Sequence, residues 1–307
     1  MIRRAVFLAS VCALVACGGS GGDVSAESSS APSGTLEALA ERPGPEVAVI
    51  PGTGDHAVGD IRFSFAVIDG RGRAVERPTA RVWVARSREQ RPFERLVARL
   101  EPLGVPAREQ HEHDEEEAHD LYVGHVRVDE PGTLWFLAEP VGGRRIQALG
   151  NLVVKREPES PPLGARAPAS DTPTLGDAPI RELTTRTPPD RELLRSSVAE
   201  SLRARAPFVV TFATPKFCSS RTCGPVMDVV DRVRRRFEPR GIRFIHVEVY
   251  KGNDPARGVN RWMVEWGLPS EPWTFLVGRD GRIKGKFEGS LSVRELTESV
   301  RRSLLPR

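Results

Sequence analysis

Residues 211–230 read TFATPKFCSSRTCGPVMDVV. Their first part completes an apolar run, PFVVTFA at 207–213, of the kind carried by a strand buried on both faces. Beyond it, Val226, Val229, Val230, Val233 and Phe237 recur at helical spacing. Between the expected strand and helix stand Cys218 and Cys223, separated by Ser219, Ser220, Arg221 and Thr222, with Gly224 and Pro225 directly after the second thiol. A thiol at a helix N-terminus meets unpaired backbone N–H groups and the positive end of the helix dipole, and both favour a thiolate. Arg221, between the thiols, is expected to add to this.

The surrounding pattern extends the same architecture over 190–307. DRELLRSSVAESLRAR (190–205) predicts a helix capped by Asp190, with Leu193, Leu194, Val198 and Leu202 on one face. GIRFIHVEVY (241–250) predicts a second strand, and DPARGVNRWMVEWG (254–267) a second helical segment. WTFLVG and IKGKFEG around the Asp280-Gly281 turn predict a hairpin, and SVRELTESVRRSLL a closing helix with a Ser292/Glu295 capping box. The order α-β-α-β-α-β-β-α, a cysteine pair between the first strand and its helix, and Pro272 just before the third strand resemble the thioredoxin superfamily. An α/β thioredoxin-like domain is therefore expected at 190–307.

The resemblance implies a redox pair with one attacking and one resolving cysteine, and a cis-proline at Pro272 packed beside it. It implies protein thiols and disulfides, with a redox partner, as the reacting species, and no cofactor. This chain departs from the family pattern in several places. The spacer has four residues instead of two, Phe217 stands where a tryptophan is usual, and Thr211 where a buried acid is usual. Two alignments of the motif compete: FATPKFC makes Cys218 the attacker, while CGP would give that role to Cys223. The first is favoured, with Cys218 exposed and Cys223 resolving. Glu271, before Pro272, would place a negative charge near the thiols and favour a basic client.

Other readings of the pair stay open. A structural disulfide across so short a loop gains little entropy. Copper-delivering Sco-type proteins use a Cys-x-x-x-Cys-Pro loop and a distant histidine; here the spacer is one longer, Gly224 intervenes, and His246 lies within the second strand. No metal is expected at the pair. A peroxiredoxin is excluded because Thr214 is four residues before Cys218, not three.

The beginning of the chain bears on the compartment. MIRRAVFLASVCALVAC (1–17) has a basic start and an apolar run too short to span a bilayer. Its ending, Leu14-Val15-Ala16-Cys17, resembles a bacterial lipoprotein signal. That resemblance implies cleavage before Cys17, acylation (palmitate included) of its thiol, and a location at the cell membrane or envelope facing outside the cytoplasm. Residues 18–44, Gly/Ser-rich at first, read as a flexible tether. Cys12 would leave with the signal, so Cys218 and Cys223 would be the remaining free pair in an oxidising compartment.

Residues 45–156 alternate in strand fashion: Ile61, Phe63, Phe65 and Val67 share one face, and Leu121, Val123, His125 and Arg127 oppose Tyr122, Gly124, Val126 and Val128. About six or seven short strands at this spacing predict an all-β, immunoglobulin-like sandwich. Residues 157–189, rich in proline, read as a linker with an extended section lying on the following domain. HEHDEEEAHD, from His111 to Asp120, is a candidate metal-binding run, although it meets no accepted ligand spacing. The chain of 307 residues carries a net charge of +4, and no basic stripe interleaved with aromatics is present, which argues against nucleic-acid binding.

Overall fold

The computed structural model describes residues 33–41, 44–105 and 120–306. Residues 1–17 with Cys17, most of the tether, and 111–119 of the acidic run lie outside the described residues. No helix among the described residues is long and apolar enough to cross a membrane.

After a short helix α1 (Leu36–Ala40) come β1 (Val47–Pro51), β2 (His56–Ala57), β3 (Gly59–Asp69), β4 (Thr79–Ala85), β5 (Glu94–Glu101), β6 (Leu121–Val128), β7 (Gly132–Pro140) and β8 (Ala148–Lys155). They form one sheet in the order β1-β3-β6-β5-β4-β7-β8-β2. The alternation favours two packed sheets of immunoglobulin-like type; the hydrogen bonds instead run without a break across all eight strands. The sheet curls until β1 approaches β8, and Val49 Cγ1 lies 3.0 Å from where a Cβ on Gly150 would sit. Curling lets one sheet enclose its own core. Phe63, Phe65, Tyr122 and Phe136 meet there, with ring centroids 5.1–5.9 Å apart. Gly124 leaves the space that the Phe63 ring occupies: a Cβ would come within 2.8 Å of it. On β6 the core face is Tyr122, Val126 and Val128, and His125 on the opposite face is exposed.

Residues 190–205 do not form the single helix expected. After a short helix α2 (Ile180–Leu183), a 3-10 turn over Arg191–Leu194, capped by Asp190, is followed by α3 (Val198–Arg203), capped by Ser197. The break falls where Ser197 accepts from Glu200 N and Thr172 Oγ1 accepts from Val198 N, which lets the backbone start a new helix. Then follow β9 (Phe208–Phe212), α4 (Cys223–Phe237), β10 (Arg243–Val247), α5 (Arg261–Glu265), β11 (Trp273–Val277), β12 (Ile283–Glu288) and α6 (Val293–Ser303). The second sheet has the order β10-β9-β11-β12. β10 is parallel to β9, while β11 is antiparallel to both β9 and β12.

β9 is buried on both faces, which explains its continuous apolar run. Val209 joins Val226, Val230, Phe237, Leu296 and Val300 under α4 and α6. Phe208, Val210 and Phe212 pack with Met263, Trp266 and Phe275 on the α5 side. The proline-rich segment before these elements is laid along the β11–β12 hairpin: Gly164 N donates to Ile283 O at 2.8 Å and Ala167 N to Gly281 O at 2.9 Å.

Side chains from the first sheet reach directly into the second. Arg62 on β3 donates to both oxygens of Glu295 on α6, at 2.7 and 3.1 Å, and to Ser290 O at 2.9 Å. Glu288 on β12 accepts from the backbone N–H groups of Gly54 and Asp55, both at 2.8 Å. Glu101 on β5 accepts from Ser292 Oγ at 2.6 Å and pairs with Arg294. The described residues are thereby one compact unit.

Candidate functional site: a thiol pair at a helix start

Cys218 lies within the loop that leaves β9, and Cys223 is the first residue of α4. Both are free thiols; Cys218 is partly accessible and Cys223 is buried. The four-residue spacer doubles back on itself. Arg221 adopts a left-handed conformation (φ 57°), and its N–H donates to Cys218 O at 3.2 Å. This returns the chain so that Cys223 N–H points at Cys218 Sγ, 3.3 Å away. Thr222 occupies the N-cap position of α4 but makes no side-chain cap bond; the sulfur of Cys218 takes the first orphan N–H of the helix instead.

These contacts set the charge. The Cys223 S–H donates to Cys218, and against the opposing effect of burial it combines with the Ser220 hydroxyl and the N–H groups of Cys223 and Thr222 to bring Cys218 down to about 5. Burial drives Cys223 the other way, far above the usual thiol range, helped by its hydrogen bond to Cys218, by the Cys218 thiolate and by Glu271. At neutral pH the pair is therefore one thiolate and one thiol. The leading causes of the Cys218 shift are neutral hydrogen bonds, not the expected charge of Arg221, whose side chain is exposed.

In the sequence Ser220 and Thr222 read only as spacer between the thiols. Their hydroxyls form a chain, with Cys218 Sγ to Ser220 Oγ at 3.3 Å and Ser220 Oγ to Thr222 Oγ1 at 2.7 Å. The signal that could have found them is a Ser/Thr-rich approach to a helix start, where hydroxyls ordinarily satisfy backbone N–H groups.

The Glu271–Pro272 peptide is cis and leads straight into β11. Burial and the facing Cys218 thiolate both raise the Glu271 carboxyl. Thr211 sits beneath the site on β9 with its hydroxyl 3.1 Å from that of Thr274. Phe217 packs edge-on against Tyr250, with ring centroids 6.4 Å apart. His246 is buried on β10 with Nε2 3.0 Å from Ala213 O, and burial holds it below the usual histidine range. Among the described residues, no three of His, Cys, Asp or Glu gather in a way that could hold a metal.

The charge state can be read directly. Alkylation of the reduced protein at Cys218 is expected to rise with pH through a midpoint near 5, following the thiolate, and to be level from about one unit above it. A midpoint of 8 or above in the iodoacetamide rate profile would show that these hydrogen bonds do not set the thiolate.

No family model matches the chain, and no curated protein matches it. Among solved structures, it is similar to a thiol:disulfide interchange protein of the thioredoxin family from Chlorobium tepidum TLS. The identity is 18% and the TM-score 0.26, and the match covers 34% of this chain and 83% of that one.

Proposed function

We propose that this protein is a thioredoxin-like thiol–disulfide oxidoreductase acting through Cys218 and Cys223, exported and held at the membrane by a lipid on Cys17. The observation that carries the redox reading is the asymmetric pair: a partly accessible thiolate capped by a helix N–H, beside a buried thiol that donates to it. Supporting it are the β10-β9-β11-β12 sheet, with the pair at the end of its central strand β9, and the cis peptide before Pro272. The leader 1–17 supports the location.

In the reducing direction, Cys218 thiolate attacks one sulfur of a client disulfide. A Cys218–client bond forms, the client S–S bond breaks, and the client's other sulfur leaves as a thiolate. Two of the influences that hold the proton on Cys223, its hydrogen bond to Cys218 and the charge there, end when Cys218 becomes a mixed disulfide. Cys223 then gives its proton to the departing thiolate and attacks Cys218 Sγ. The second client thiolate is released, and the protein carries the disulfide in place of two thiols. Two electrons have passed to the client; the reverse sequence oxidises a dithiol.

Trapping tests this. Cys223→Ser protein is expected to accumulate mixed disulfides through Cys218 when offered a disulfide-bonded protein, and Cys218→Ser to accumulate none. Equal trapping by both, or by neither, would sink the assignment. The second reading, a non-enzymatic scaffold held by a structural disulfide, predicts a pair that glutathione does not reduce.

A further inference from the structure

A cleft of about 510 Å³ opens beside the thiol loop. Ile50, Leu103 and Leu121 of the eight-stranded sheet and its loops form one wall, and Ser220, Thr222 and Glu271 form the other. We infer that this cleft seats a client polypeptide segment bearing a basic and an apolar side chain beside its reacting sulfur, with the first sheet as its second wall. The inference rests on the thiol–disulfide reading and names the class of client.

Three observations lead to it. The cleft reaches the sulfur through a chain of contacts: Thr222 and Ser220 line it, their hydroxyls are 2.7 Å apart, and Ser220 Oγ lies 3.3 Å from Cys218 Sγ. The wall from the first sheet is apolar and open, with Ile50 48% exposed, so an apolar side chain has surface to bury. Among the described residues, the charged ones lining the cleft are Glu271 and Glu288, with neither lysine nor arginine beside them. Glu288 is fully engaged, accepting from Gly54 N, Asp55 N and Ser270 Oγ. Among the described residues, Glu271 has no hydrogen bond or ion pair, and it faces the Cys218 thiolate. Glu271 is thus the carboxylate of the cleft left without a partner among the described residues, and a cation from the client would pair with it.

The first sheet is held at this distance by contact. Gly104 (φ +87°) lies so close to the start of α4 that a Cβ there would sit 3.2 Å from Pro225 Cβ. The Glu288 clamp fixes the opposite lip.

The full chain with both cysteines replaced (Cys218→Ser, Cys223→Ser) isolates binding from exchange chemistry. Short fluorescent peptides that differ at one position beside a leucine (arginine, glutamine or glutamate) are titrated by anisotropy. The arginine peptide is expected to bind about tenfold tighter than the glutamate peptide at low salt, the gap narrowing as salt is raised. Adding Glu271→Gln is expected to bring the ratio near one, and adding Ile50→Ser to weaken all three peptides about threefold. Equal binding of the three peptides, or a ratio that survives Glu271→Gln, would overturn the charge selection; affinities untouched by Ile50→Ser would overturn the role of the first sheet. Absent mixed disulfides in the trapping experiment would count against the redox reading and leave this result standing.

Discussion

Serine in place of Cys218 is expected to lower insulin reduction by on the order of 10³-fold or more, because no other described sulfur is both ionised and accessible. Serine in place of Cys223 should also stop turnover, yet leave one stoichiometric encounter with the client. A variant lacking Cys218 that still reduced insulin at a tenth of the parent rate would defeat the proposed division of labour. The same geometry bears on potential. A thiol brought to about 5 from the ordinary 9 stabilises the reduced form at neutral pH by up to roughly 2.7 kcal/mol, about 60 mV toward an oxidising pair. The sign follows from the thiolate: it exists only in the reduced protein, so each favourable contact to it opposes the disulfide.

The second large effect lies away from sulfur. Glu295→Gln is expected to destabilise the protein by about 3–5 kcal/mol, because it leaves the Arg62 guanidinium with no carboxylate in a site where the two side chains are only 12% and 7% exposed. Glutamine keeps the capping-box contact to Ser292 N, so the loss isolates the ion pair. A fall in melting temperature of around 10 °C is the readout. The paired replacement Arg62→Met with Glu295→Leu should recover most of it. A loss under about 0.5 kcal/mol for Glu295→Gln would show that the pair is solvated in solution. Burial alone would raise Glu295, but Arg62 and Ser292 N hold its carboxyl below the usual range. Its contribution is therefore complete above the ordinary carboxylate value and is lost as pH falls through the lowered one.

Much of the second sheet was legible because its period changes along the chain. PFVVTFA announces a strand buried twice over, and Val226, Val230 and Phe237 announce a helix face. The first sheet was legible only as strands. Alternation says which side of each strand faces a core, and Phe63 and Phe65 did so correctly, but it does not say which strand is a neighbour. A curled sheet and a sandwich are written with the same two-residue period. The break at Ser196-Ser197 was hidden for a different reason: its partner, Thr172, is remote in sequence. The same holds for the cleft, whose walls are roughly 100 to 220 residues apart in the chain. The cysteine pair could be placed from sequence, whereas its polarity depended on the fold of Ser220, Arg221 and Thr222.

The sulfur of Cys218 stands where a serine or aspartate oxygen would ordinarily begin a helix. The same negative charge therefore serves the chemistry and the architecture. When it is spent in a disulfide, α4 loses the anion at its positive end, and its 15 residues begin with one fewer compensating charge. On the proposed redox reading, electron transfer at this site is recorded in the helix behind it. The redox state has a mechanical address: the first turn of the element on which the core of the second sheet is packed.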